Sequence, residues 1–164
     1  MRRLSFFAAL FVATVASTAL GQSTTPEHFR PMEFMVGSCW IGTFPDGKAT
    51  DEHCFEWMYD RKFIRDRHVV RGGPPYEGET IYALDAKEKR VTYWYFSSAG
   101  GLSTGQMLPE GESLVFPERH TSASGVIEIK SVWTRAGADA IRVESMRKDG
   151  SEWKMMWTME LKRR

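Results

Sequence analysis

The chain has almost no excess of either charge, with 22 Lys and Arg against 21 Asp and Glu in 164 residues. It has no long run of like charges. These two absences exclude the electrostatic footprint that nucleic acid or an anionic membrane surface would require. Repeats, low-complexity segments and an interdomain linker are also missing. No serine sits on a recognisable nucleophile elbow. Gly100-Gly101-Leu102-Ser103-Thr104-Gly105 lacks the lysine and the following helix of a phosphate loop, so it reads as a hairpin turn. Cysteine is scarcest: Cys39 and Cys54 are the only two, on either side of Pro45-Asp46-Gly47.

What is present begins with a processing segment. Arg2 and Arg3 precede an apolar stretch, Leu4 to Leu20, broken by Ser5, Thr14, Ser17 and Thr18. Ala19-Leu20-Gly21 has the small-x-small form of a cleavage site. The polar breaks argue against a membrane anchor, which needs ~20 strongly apolar residues. Residues 1–21 are therefore read as a secretory signal and 22–164 as a single domain, periplasmic or secreted. Removing 21 of the 164 residues leaves 143, enough for one sizeable core. The segment takes two of the 22 basic residues and none of the 21 acids, so the mature charge is −1.

Thr25-Pro26-Glu27 reads as a helix start, with Thr25 as N-cap and Phe29, Met32 and Met35 on one apolar face. Beyond Gly37 the helical period is lost. Short alternating segments follow, separated by turn residues. Ten strands are expected, starting near Ser38, Thr50, Phe63, Glu79, Arg90, Gly101, Ser113, Gly125, Ala140 and Glu152. No connection is long enough for a crossover helix, so neighbours should run antiparallel. The predicted fold is all-β: an antiparallel up-and-down barrel of about ten strands with a short N-terminal helix. A β-sandwich is the alternative.

Strand alternation assigns faces. In the last strand Trp153, Met155, Trp157, Met159 and Leu161 should point inward, while Glu152, Lys154 and Glu160 meet water. With Ile141 and Val143 inside the preceding strand, this needs a three-residue loop, Lys148-Asp149-Gly150. In the first hairpin a two-residue loop at Asp46-Gly47 pairs Pro45 with Lys48 and, read back along both strands, Cys39 with Cys54. A disulfide is expected there in an oxidising compartment, at a hydrogen-bonded pair with Cα atoms ~5.5 Å apart. It would be structural, since no redox motif surrounds it.

A loop of two or four residues around Asp60-Arg61 sets Trp57 opposite Ile64, Phe55 opposite Asp66 and His53 opposite His68, all inward. Asp51 shares that face. Two imidazoles and a carboxylate so placed can anchor a polar ligand, shuttle a proton or bind a metal. Slippage by one residue would instead turn Arg65 and Arg67 inward, which suits an anionic head group. The contiguous text Asp51-Glu52-His53-Cys54 is not itself a metal motif, because alternation divides it between two faces.

Phe34-Met35-Val36-Gly37-Ser38-Cys39-Trp40-Ile41-Gly42 resembles the opening of lipocalin-like, calycin-type barrels, in which a tryptophan plugs one barrel end. The spacing departs from the Gly-x-Trp of lipocalins, with two residues between Gly37 and Trp40. Phe55-Glu56-Trp57, Lys62-Phe63-Ile64, Tyr82-Ala83-Leu84-Asp85 and Trp94-Tyr95-Phe96-Ser97-Ser98-Ala99-Gly100-Gly101 are similar to small bacterial lipocalin-like domains of unknown function. The resemblance implies a small closed barrel with an internal cavity. Haem barrels of the nitrobindin type are more distant relatives and need a histidine near the C-terminus. None follows His120 here.

The function read from the sequence is an exported barrel binding a small apolar or amphipathic molecule. The expected lining is His53, Phe55, Trp57, Asp66, His68, Trp94, Trp153 and Trp157. No cofactor, metal or catalytic residue is assigned, and no nucleic acid or integral membrane segment is expected. Two other classes compete. An enzyme would use the internal His/Asp cluster, and an envelope interaction module would have a filled interior and an exposed apolar patch.

Overall fold

The computed structural model describes residues 24–164. The expected signal segment, 1–21, lies outside the described residues. No helix among those described is long and apolar enough to cross a membrane.

A 3₁₀ helix, Glu27–Met35, leads into ten strands: β1 (Ser38–Thr43), β2 (Thr50–Met58), β3 (Phe63–Arg71), β4 (Tyr76–Asp85), β5 (Arg90–Ser97), β6 (Leu102–Glu110), β7 (Ser113–Ser122), β8 (Gly125–Arg135), β9 (Ala140–Asp149) and β10 (Glu152–Arg163). Each pairs antiparallel with its chain neighbour, and β1 pairs with β10 to close an up-and-down barrel. Closure leaves no free sheet edge. At the seam β1 lies so close to β10 that a Cβ on Gly42 would sit 2.7 Å from the Glu160 carbonyl oxygen. Only glycine fits there without displacing backbone. One strand start differs from expectation: β4 begins at Tyr76 rather than near Glu79.

Phe29, Met32 and Met35 are fully buried, as their spacing predicts. That spacing of three matches the three residues per turn of a 3₁₀ helix, whose i and i+3 side chains align. The cap differs from expectation. Pro26 occupies the N-cap position without a side-chain cap, and the Thr25 hydroxyl bonds Glu33 instead. The helix plugs one end of the barrel. Trp40 is buried there, its indole N–H donating to the Met35 carbonyl at 3.1 Å, with Phe34 edge-on and the Arg163 guanidinium 4.5 Å from the ring centroid.

The first hairpin has the expected register, with Cys39 opposite Cys54 and the two bridged. Its loop is longer than expected: Phe44 N–H bonds the Ala49 carbonyl, so Pro45–Lys48 form a four-residue turn. Lengthening a loop by one residue on each side leaves the pairing unchanged. The cysteine Cα atoms are 4.0 Å apart, closer than the ~5.5 Å of a hydrogen-bonded pair. With the cysteines separated by 15 residues, loop-closure entropy predicts that the Cys39→Ser/Cys54→Ser double variant loses ~3 kcal/mol. Urea unfolding of the two proteins under oxidising conditions measures this. Equal midpoints would show that the bridge contributes nothing.

The last hairpin departs from prediction. Asp149 pairs with Glu152, so the loop is the two residues Gly150-Ser151. This register would turn the whole of β10 the wrong way, and a bulge between Met155 and Trp157 corrects it. Trp157, Met159 and Leu161 therefore face inward as expected, opposite Ser145, Val143 and Ile141. Trp153 and Met155, on the loop side of the bulge, do not. Trp153 is 38 % exposed on the outer wall, between the ammonium groups of Lys130 and Lys148. Its expected burial and cavity position are thus overturned, because alternation cannot reveal a bulge.

Candidate functional site

β2 and β3 carry the centre of the site. They are joined by the four-residue turn 59–62, in which Tyr59, Asp60 and Arg61 all have positive φ. The turn produces the predicted register, with His53 opposite His68 and Phe55 opposite Asp66. Asp51, His53, Asp66 and His68 converge inside the barrel, while Arg65 and Arg67 lie on the alternate face. Arg65 pairs there with Glu56, so the slipped register is excluded.

The four side chains form a connected set. His53 Nδ1 is 2.7 Å from Asp66 Oδ2, and its Nε2 is 3.5 Å from Asp51 Oδ2. His68 Nε2 lies 2.5 Å from the other Asp51 oxygen, Oδ1. The two imidazoles stack nearly parallel with centroids 4.3 Å apart. His68 Nδ1 contacts the Tyr95 hydroxyl at 3.2 Å, and Tyr95 donates to the Tyr76 hydroxyl at 2.7 Å. Tyr95 reaches this position by lying across Gly78, where a Cβ would fall 2.3 Å from its ring. Asp51 Oδ1, Asp66 Oδ1 and His68 Nε2 are buried without a well-aligned hydrogen-bond partner in the protein. The Asp51–His68 contact is near enough to bond but out of line.

Burial drives the His53 pKa down, but the Asp66 and Asp51 carboxylates outweigh it and raise it to about 10. For Asp51, burial acts upward, and the two histidines more than reverse this, holding the carboxyl well below its ordinary range. Burial raises Glu118, only partly offset by hydrogen bonds from Tyr93 and Ser103. The cluster can therefore accept hydrogen bonds, hold positive charge or relay a proton through His68, Tyr95 and Tyr76.

The cluster lines a cavity of about 340 Å³, away from the helical plug. Its walls include Phe44, Tyr76, Tyr82, Tyr95, Trp133 and Trp157. Of the residues expected from sequence, His53, Asp66, His68 and Trp157 line it. Phe55 and Trp57 face inward but pack deeper, Phe55 against Trp133 and Trp57 against Phe29. Trp94 does not reach the interior. β5 carries aromatics on both faces, and its pairing turns Tyr93 and Tyr95 inward while Trp94 sits outside, 40 % exposed, between Ile81 and Thr104. Tyr76, Tyr82, Tyr93, Tyr95, Trp133 and Glu118 went unrecognised in sequence. The period of two in Val91, Tyr93 and Tyr95 would have found part of the set, had the face of β5 been fixed by a neighbouring strand. Neither the family models nor the curated proteins compared with the chain give a match.

Proposed function

We propose that this protein is an exported, lipocalin-like carrier or receptor for a small, largely aromatic or apolar molecule whose polar end donates hydrogen bonds. The observation that carries the reading is the pairing of an aromatic cavity of about 340 Å³ with the two carboxylate residues in its lining, Asp51 and Asp66. That volume suits a compact ligand. The lining carboxylates favour a hydroxyl, amide or amine over a carboxylate as the ligand's polar end. The anionic head group considered for an inward Arg65 and Arg67 is set aside, because those guanidinium groups face away from the cavity. The disulfide is in keeping with an oxidising, extracytoplasmic location.

Native mass spectrometry of protein from its own host tests for a retained molecule. Titration with N-phenyl-1-naphthylamine, an apolar aromatic amine, tests the cavity directly in EDTA-containing buffer. Saturable one-to-one binding is expected, weakened at least tenfold in Ser131→Phe, which fills the cavity from β8. Absence of saturable binding, or equal affinity in the folded Ser131→Phe variant, would refute the proposal.

A further inference from the structure

We infer that Asp51, His53 and His68 form a binding site for a divalent transition-metal cation of the zinc class. His68 Nδ1 lies 3.2 Å from the Tyr95 hydroxyl, and a proton held there leaves Nε2 free to ligate an ion. His68 Nε2 lies 2.5 Å from a carboxylate oxygen of Asp51, and neither atom has an aligned hydrogen-bond partner. A proton or a metal ion placed between them would satisfy both atoms, and the surrounding contacts favour the ion. Asp51 is 3 % exposed and points both oxygens into the cluster, one toward each histidine.

The outer contacts have the form found around metal-bound histidines. Such a ring usually donates its second N–H to a carboxylate or another oxygen, which fixes the tautomer and aims the other nitrogen at the ion. Asp66 occupies that position on His53, and Tyr95 occupies it on His68. Ligand atoms from Asp51, His53 and His68 all lie within 4.8 Å of one another. An ion with bonds of ~2.0–2.2 Å draws them together once the two stacked rings tilt out of parallel. Two imidazoles and one carboxylate suit zinc and its late first-row neighbours, and a three-residue set leaves coordination open toward the cavity. The second Cys/Glu grouping, Cys39, Glu52 and Cys54, is unsuited because its sulfurs are bridged. This inference shares the cavity with the proposed ligand but does not depend on an organic molecule binding there.

The test uses untagged protein, stripped with EDTA and dialysed into metal-free buffer. It is titrated with Co²⁺ and then Zn²⁺, with no organic ligand present. One equivalent of Co²⁺ should bind with visible ligand-field absorption, and one equivalent of Zn²⁺ should displace it. His68→Gln and Asp51→Asn, checked for folding by circular dichroism, should each weaken Co²⁺ at least 100-fold. Asp66→Asn should weaken it ~10–100-fold through His53, and Glu128→Gln, at an exposed site paired with Lys148, should leave it unchanged. Wild-type protein that takes up no stoichiometric Co²⁺ or Zn²⁺ overturns the inference. So does uptake that survives both His68→Gln and Asp51→Asn.

Discussion

Trp40→Ala should destabilise the barrel by ~3–5 kcal/mol, the range for deleting a fully buried large aromatic. The indole is 0 % exposed and joins three parts of the structure at the plugged end. Its N–H holds the last residue of the 3₁₀ helix, its ring edge meets Phe34, and its face carries Arg163 from β10. Arg163 in turn bonds the Ser38 hydroxyl at 2.7 Å and Asp139 at 3.0 Å. Removing the indole leaves a cavity and also frees the helix from the seam between β1 and β10. Urea unfolding followed by circular dichroism measures the loss. Trp40→Phe keeps most of the volume and should cost less. A change of under ~1 kcal/mol in Trp40→Ala would show that the plug does not support the barrel.

His53→Ala should be comparably damaging, at ~3–5 kcal/mol, for an electrostatic reason. Breaking a buried ion pair by removing one partner leaves the other charge unpaired in the interior. Here one imidazole serves two carboxylates, Asp51 and Asp66, which are 3 % and 2 % exposed. The pH dependence provides a second readout. Because the folded-state pKa of His53 is raised from 6.5 to about 10, its contribution is fully present below 6.5 and fades as pH rises through about 10. Asp51 shifts downward, so its contribution is present above its ordinary pKa of 3.8 and is lost as pH falls below it. The EDTA-stripped wild-type protein should therefore be most stable at about pH 4–6.5 and weaken toward pH 10, with His53→Gln losing most of that alkaline slope. Identical pH slopes in the two proteins would remove His53 from the ion pair.

The order and direction of the strands, the disulfide pairing and the His53–His68 register were legible in the sequence. Each follows from period-two alternation combined with loop length, and a loop two residues longer preserves the register, as in Pro45–Lys48. The Phe29, Met32 and Met35 spacing likewise marked the helical face that the barrel covers. Tertiary structure decided what local pattern could not. The bulge near Met156 placed Trp153 outside while returning Trp157 to the interior, and no alternation within β10 records an extra residue. β5 is aromatic on both faces, so only its pairing with β4 and β6 selected Tyr93 and Tyr95 over Trp94. The depth of each inward residue was also hidden. Alternation shows which side of a strand faces the core. Whether Phe55 and Trp57 pack beneath the cavity while His53 and Asp66 line it depends on where the helix seals the barrel, a long-range packing outcome.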